Sequence, residues 1–429
     1  MSEVFIAGIG MTPVGEHWDQ SLANLSARAM LGALKDAGGI RPKALYVGNL
    51  LASEISGQAN LGTLIAENAG LTHIETFTAE AGEASGAAAL HLGYLAVKSG
   101  YVDSALVVGV EKYTDMVGPQ VEGIIAQTGD YDFEAMQGLT PAGQAGLLMA
   151  RYLDACRAER EAFAVLPLLA HANAAHNPNA MYRRAVGLDA YNQAPMLASP
   201  LNLFDAAPYA DGAAALLLVN EELAKDKTRV RIAASNVVVD ALAMHDRTDP
   251  LAFSAVTHSA YKALAQADLE WNAVDLFELW DAFSIYGVLA LEACGLAPRG
   301  EGWRWLRDND LTPNGGLPLL TMGGNKARGF PLGAAGVYQA AEAVLQLRGQ
   351  AGVNQVPDAR CAVVQALGGP ASEILRLKIG WSATREVARI LPPDAACEVS
   401  TNSTRSKRST PQSAARMISS PAQFADSTG

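Results

Sequence analysis

The sequence predicts a layered α/β architecture, and three observations carry that expectation. Short apolar runs that read as buried strands alternate with Ala-rich helical stretches. One unit, a glycine-flanked turn that feeds an Ala-rich helix and then a buried strand, occurs twice. GEASGAAALHLGYLAVKSG with YVDSALVVG in the first half is matched by GFPLGAAGVYQAAEAVLQLRG with DARCAVVQALGG in the second. Such self-similarity is the mark of an internal duplication. Between the halves, residues 113–200 break the alternation with punctuation such as HNPNA and LASPLN, as an inserted lobe would.

The elements follow in order. VFIAGIGM is a short apolar strand ending at a glycine turn, and residues 20–37 have the spacing of an amphipathic helix. YVGNLLA is a second strand and residues 60–70 a second helix. ETFTAEAGEASG leads into a helix near 83–99 closed by Ser99-Gly100, and SALVVGVEK follows as a continuous apolar strand buried on both faces. Helical stretches at 140–155 and 159–176 lie in the interrupting lobe, after which DGAAALLLVN returns to strand. VRIAASNVVVD (strand), 251–267 (helix), VDLFELWD (strand) and 284–294 (helix) form the second alternation. MGGNKARGFPLGAAG is a glycine-rich turn before a helix from about 334 to 347, and CAVVQALGG and SEILRLKIG are strands.

Composition narrows the function. Half of the 429 residues are hydrophobic and only 18% are charged, which suits a compact body with a large core. The net charge of -12, with no basic stripe, excludes nucleic acid as a partner. Cys156, Cys294, Cys361 and Cys397 show neither pairing nor metal-ligand spacing, which argues against a disulfide framework and a zinc site. MSEVFIAGIG lacks the features of a targeting segment and no apolar run has bilayer length, so a soluble cytoplasmic protein is expected, with no membrane partner. The segment from Trp381, rich in Ser, Thr, Arg and Pro, reads as a disordered tail.

Seven segments in order carry a resemblance: GIGMTPVGEHWDQSL, VGNLLASEISGQANLG, EAGEASGAAAL, ALVVGVEKYTD, DAAPYADGAAALLL, ELWDAFSI and KARGFPLGAAG. Over residues 3 to about 379 the chain resembles the thiolase superfamily, in its archaeal and sterol-carrier-protein-x-like branch. The resemblance implies two pseudo-equivalent α/β halves in a five-layered αβαβα sandwich: residues 1–112 with 201–225, and residues 226–380. It makes 113–200 a loop domain and 381–429 a tail. It also implies a homodimer, a pantetheine tunnel, and an acyl-CoA thioester as substrate or ligand with no further cofactor and no metal.

A thiolase uses a thiolate at a helix N-terminus, a histidine that activates it, a second cysteine as acid/base, and oxyanion holes. At the position implied for the nucleophile this chain has Glu83, in Glu83-Ala84-Ser85-Gly86. The turn that resembles GHPxG reads Gly329-Phe330-Pro331-Leu332-Gly333, so Phe330 replaces the histidine. Ala366 precedes Leu367-Gly368-Gly369 where the second cysteine belongs, and Trp280 opens the motif Trp280-Asp281-Ala282-Phe283 in place of a histidine. The reactive side chains are gone while the glycines around them stand, as in a pocket that has been rebuilt.

Glu83 is then either a base or substrate-holding carboxylate, or a helix-capping residue. Asp281 is a candidate catalytic acid or a structural hydrogen-bonding residue. Trp280, Phe330, Gly329 and Ala366 are expected around the substrate pocket, and the backbone amides of Glu83 and Gly368 as an oxyanion hole. Lys326 and Arg328 are candidate contacts for CoA phosphates, against the alternative of ordinary surface charge. His171 and His176 read as turn or helix-end histidines rather than metal ligands.

Three functions remain open. A Cys-less subgroup that the chain resembles performs retro-aldol cleavage of β-hydroxyacyl-CoA beside a small OB-fold/zinc-ribbon partner, but it places tyrosines where this chain has Trp280 and Phe330. A non-catalytic acyl-CoA-binding subunit is the second function. Acetyl-CoA acyltransfer, the family's own activity, is the third, and it lacks its thiolate here.

Overall fold

The structure, a computed structural model, describes residues 2–116, 118–224, 230–368 and 371–379. The expected tail and Cys397 lie outside these residues. The first half contains β1 (Val4–Met11), α1 (Leu22–Asp36), β2 (Ala44–Gly48), α2 (Leu61–Asn68), β3 (Glu75–Ala79), α3 (Ser85–Lys98) and β4 (Ser104–Glu111). Then come α4 (Pro119–Ile125), α5 (Pro141–Cys156), α6 (Val165–Ala174), α7 (Leu188–Gln193) and the short ribbon β5 (Met196–Ala198) and β6 (Leu201–Asn202). β7 (Gly212–Asn220) returns to the main sheet. The second half runs through β8 (Val230–Val238), α8 (Ser254–Ala267), β9 (Leu276–Glu278), α9 (Ser284–Ala293), α10 (Gly302–Asp308) and α11 (Gly324–Arg328). It ends with α12 (Ala335–Leu347), β10 (Cys361–Gly368) and β11 (Ala371–Ile379).

Nine of these strands form one sheet in the order β3-β2-β4-β7-β1-β8-β11-β10-β9. Its pairing displays the duplication. β1 pairs antiparallel with β7, β7 antiparallel with β4, and β4 parallel with β2. In the second half β8 pairs antiparallel with β11, β11 antiparallel with β10, and β10 parallel with β9. The two halves meet where Phe5 and Ile6 of β1 pair with Arg231 and Val230 of β8. β4 and all of β7 but Asn220 are buried. That explains their unbroken apolar runs, since a strand covered on both faces has no wet side to alternate with.

α3 and α12, the helices of the repeated unit, pack against each other. Every residue of α12 except Leu345 is buried, and this is why the helix is Ala-rich on all sides rather than amphipathic. The closeness rests on missing side chains. A Cβ on Gly86 would stand 2.4 Å from the Gly333 carbonyl oxygen and 2.8 Å from Val337 Cγ2. α1 is the amphipathic outer helix that its spacing predicts, started by the Ser21 side chain accepting from the Asn24 amide.

The structure differs from the sequence reading in three places. β3 lies at the sheet edge with a half-exposed pattern, so no buried apolar run announced it. The strand expected over VDLFELWD shortens to Leu276–Glu278, because the Trp280 amide turns aside to donate to Gln365 Oε1 at 2.9 Å. The glycine-rich turn at 322–329 contains the helix α11, whose five residues are all buried.

α11 carries a buried charge network. Arg328, fully buried, donates from Nη1 to Glu342 Oε2 at 2.7 Å and from Nη2 to Asn325 Oδ1 at 2.5 Å, and its guanidinium lies over the Tyr338 ring. The expectation that Arg328 meets a CoA phosphate is therefore corrected, because its charge is neutralised inside the core. Glu278 accepts from the Thr321 amide and hydroxyl through Oε1, while its Oε2 has no hydrogen-bond partner among the described residues. Burial, then the neighbouring Glu342, pushes Glu278 up to about 8. Among the described residues no helix is long and apolar enough to cross a membrane.

Two predictions follow from this packing. Gly86→Ala forces its methyl onto backbone, and we expect a loss of about 2 kcal/mol in urea unfolding, the usual effect of overpacking. The proton on folded Glu278 stabilises the fold fully below its unfolded pKa, and that contribution is lost as pH rises through about 8. Glu278→Gln should therefore unfold with a flatter pH profile between about pH 5 and about pH 8, by up to roughly 1.4 kcal/mol per pH unit.

Candidate active site

A cavity of about 410 Å³ opens between the segments that carry the family-like motifs and the helices inserted after β4. Glu83, Trp280, Phe330 and Lys326, all singled out from sequence, line it. Its walls are otherwise mostly apolar, with Leu197, Leu203, Leu242 and Tyr182 partly exposed at the rim.

The walls are sewn together by the segment 206–210. The Ala207 amide donates to the Ala282 carbonyl at 2.8 Å, and the Phe330 amide donates to the Pro208 carbonyl at 2.9 Å. The Tyr113 hydroxyl locks this seam, donating to the Phe330 carbonyl at 2.6 Å and accepting from the Ala210 amide at 3.1 Å. Gly329, at φ 104°, makes the turn, and a Cβ there would lie 2.6 Å from Val14 Cγ1. That backbone geometry is open to glycine and strained for other residues. The same seam puts Tyr209 level with Phe330 and Ala206 level with Phe283.

Glu83 sits in a turn just ahead of α3, whose N-cap is Ala84. The Ser85 hydroxyl holds this turn, donating to the Gly82 carbonyl at 2.5 Å and accepting from the Ala81 amide at 3.0 Å. Gly368, at the end of β10, is pressed against the turn, and a Cβ on it would meet the Ala81 carbonyl oxygen at 2.0 Å. The strand end and the Glu83 turn are thus brought together. Trp280 and Phe330 are 2% and 5% exposed and meet edge to face, with ring centroids 5.4 Å apart.

The remaining positions lie elsewhere. Asp281 is fully buried outside the cavity wall, where Oδ1 accepts from the Asn325 amide at 2.7 Å and Oδ2 from the Lys326 amide at 3.2 Å. The candidate catalytic role for Asp281 gives way to a structural one, because its carboxylate starts α11. Ala366 is buried in β10 beside Gly336, behind the wall rather than in it. Gly329 also stands behind the wall that Phe330 forms. Lys326 is 2% exposed and donates from Nζ to the Asp205 carbonyl at 2.6 Å, so it does not present its charge at the surface to a phosphate. Burial lowers its amine to about 8 against the pull of Asp281 and Asp205. His171, near the end of α6, lines the cavity, stacks on Tyr182 and donates from Nδ1 to the Arg184 carbonyl at 3.2 Å. Burial lowers its pKa.

The sequence reading missed several polar groups of the wall, among them Tyr209, Tyr286, Glu122 and Glu134. The Tyr209 hydroxyl donates to Glu122 Oε1 at 2.8 Å, while Glu122 Oε2 has no hydrogen-bond partner among the described residues. Burial, followed by the charges of Glu122 and Glu83, drives the Tyr209 phenol far above its usual range. Burial and then Glu83 do the same to Tyr286, whose hydroxyl reaches Gln144 Oε1 at 3.3 Å. Both phenols therefore stay protonated around neutral pH, ready to donate. Tyr209 lies inside DAAPYADG and Tyr286 just after ELWDAFS, so the signal was two tyrosines in motif-bearing segments. Glu122 and Glu134 had no such signal, because they arrive from the inserted lobe. Among the described residues, no side chain of the wall is a thiol, and no cluster of His, Cys, Asp and Glu could hold a metal ion.

Comparison with known proteins agrees with the fold. Residues 4–222 match the thiolase N-terminal domain and residues 237–376 the thiolase C-terminal domain-like family. The chain is 39% identical over 373 residues to an acetyl-CoA acetyltransferase of Methanothermobacter thermautotrophicus, covering 86% of this chain and 97% of that protein. It is 30% identical over 375 residues to the benzoylsuccinyl-CoA thiolase subunit BbsB of Thauera aromatica, covering 86% and 95%. Among solved structures, the Ltp2-ChsH2(DUF35) aldolase superposes with a TM-score of 0.77 at 24% identity, over 88% of this chain and 98% of that one. With both halves of its duplicated fold matched in order, the chain belongs to the thiolase family.

Proposed function

We propose that this protein is a lyase that cleaves a β-hydroxyacyl-CoA by a retro-aldol route. The observation that carries the reading is Glu83 in the cavity wall with two protonated phenols under the influence of its charge. Glu83 takes the proton of the substrate's β-hydroxyl. The bond between the α and β carbons breaks, its electron pair moves into the thioester enolate, and the β carbon leaves as a ketone or aldehyde. Tyr286 then delivers a proton to the α carbon and recovers one from Glu83, which closes the proton balance. The backbone amides of Glu83 and Gly368 are the proposed donors to the enolate oxygen, a role that needs no side chain.

The Cys-less subgroup that the chain resembles places tyrosines at the two positions held by Trp280 and Phe330, and their absence counts against a lyase. Tyr209 and Tyr286 answer that objection, because they supply phenols to the same cavity from neighbouring positions. The word aldolase in the name of a protein with this fold is in keeping with the proposal. The acetyltransferase name of a 39% identical relative favours acyl transfer instead. That chemistry proceeds through a thiolate, and the wall offers none among the described residues.

A second reading, a non-catalytic acyl-CoA-binding subunit, is supported by the Trp280–Phe330 contact, which fills the place of two reactive groups with packed rings. Assembly belongs to the proposal as well. The half-exposed edge strand β3 suits pairing with a second copy, and the DUF35 component in the aldolase's name is the kind of small partner expected.

The test is turnover of β-hydroxyacyl-CoA thioesters with products followed by mass spectrometry. Glu83→Gln should lower kcat by about 10²- to 10⁴-fold, the usual worth of a general base. Tyr286→Phe should slow exchange of the product's α proton with deuterated solvent, read by NMR, by at least about tenfold. Tight acyl-CoA binding without cleavage of any such thioester would favour the subunit. CoA-dependent thiolysis of a β-ketoacyl-CoA would overturn the lyase.

A further inference from the structure

The cavity wall holds two polar stations, one at Glu83 and one at Lys326. Glu83 acts on Tyr209 and Tyr286, whereas the electrostatic neighbours of Lys326 are His171, Asp205 and Asp281. The Lys326 ammonium is anchored to the Asp205 carbonyl, which lies between the wall residues Phe204 and Ala206. An ammonium has three donors, and among the described residues Nζ has this one hydrogen bond and no carboxylate within 4.0 Å.

The two nearby carboxylates are committed elsewhere. Asp281 takes the Asn325 and Lys326 amides. Asp205 takes the Arg160 guanidinium at 2.9 Å, the Tyr191 hydroxyl at 2.9 Å and the Asn202 amide at 3.0 Å. A buried cation on the wall of a cavity with donors to spare is an incomplete ion pair. Its complement is an anion that arrives with the ligand. The CoA phosphates are too far from the reacting carbons to be that anion, since the pantetheine chain separates them from the thioester.

We infer that Lys326 is a specificity-determining residue that binds a carboxylate on the acyl group, so that the natural ligand is a dicarboxylic acyl-CoA. The inference rests on the reading of this cavity as an acyl-CoA site, though not on lyase chemistry. Lys326 marks the distal end of the acyl group while Glu83 marks the reacting end. The spacing between the two stations selects chain length, and a chain ending in a methyl group leaves the ammonium unpaired.

The experiment is calorimetric titration of the full chain with matched pairs: succinyl- against butyryl-CoA, glutaryl- against valeryl-CoA, adipyl- against hexanoyl-CoA, and suberyl- against octanoyl-CoA. At least one dicarboxylic member should bind about tenfold or more tighter than its partner, the worth of one charge-assisted hydrogen bond. Lys326→Met should bring that ratio to about one, and Lys326→Arg should retain part of it. Equal affinities in every pair for the unsubstituted protein would overturn the inference whether or not the variants fold. A ratio that survives in folded Lys326→Met would overturn it too. Binding of neither series would remove the acyl-CoA reading and this inference with it. A dicarboxylic preference without any turnover would sustain the inference while the lyase proposal fails.

Discussion

The carboxylate of Glu111 is the joint on which the site depends. It is fully buried at the end of β4, where Oε1 accepts from Asn49 Nδ2 at 2.7 Å and the Leu51 amide at 2.9 Å. Oε2 accepts from the Leu50 amide at 2.9 Å and, across the duplication, from the Gly333 amide at 3.1 Å. One side chain therefore satisfies a turn of the first half and the turn of the second half that carries Phe330 and Leu332 into the cavity. Removing it would strand buried amides in both, each a substantial penalty. Asp211 plays a similar part nearby, accepting from the His17, Tyr113 and Thr114 amides at 2.8 to 3.0 Å and so fixing the segment that holds Tyr113.

With these turns held, close packing does the rest. The contact of Gly86 with the Gly333 turn and of Gly368 with the Glu83 turn leaves no room for a side chain at either glycine. These constraints act on the backbone, not on the reactive groups. A scaffold of this kind can keep its turns while its reactive side chains differ, which is the pattern that the resemblance implies here. The cavity of this chain is lined by a carboxylate, Glu83, and by the phenols of Tyr209 and Tyr286. Fold and chemistry are thereby separable, and the family name alone does not specify the reaction.

Buried charge in this molecule falls into two kinds. The Arg328–Glu342 pair is closed, with both partners inside the core and the guanidinium further held by Asn325 and Tyr338. Lys326, two residues away on the same short helix, is open towards the cavity wall. Read as letters, KAR offers two equivalent cations beside a glycine turn, both candidates for CoA phosphates or for ordinary surface charge. The short helix α11 sends one into the core and the other to the acyl cavity, and no periodicity rule applies to a helix of five residues.

The sequence by itself determined the duplicated α/β plan, since uninterrupted apolar runs and Ala-rich helices have few uses other than strands and helices covered on both sides. Through the resemblance of its glycine turns to those of the family, it also implied that Glu83, Trp280, Phe330 and Ala366 stand where a thiolase has its reactive set. Tertiary structure alone decided which of these face the cavity: Glu83, Trp280 and Phe330 do, while Asp281 and Ala366 do not. It alone brought Tyr209 level with Phe330, through a bridge joining segments over a hundred residues apart, and Glu122 from the inserted lobe to Tyr209. The physical reason is that turn geometry and apolar patterning are local properties of a chain. The company a polar side chain keeps is set by which distant backbones are sewn together, and no local pattern records that.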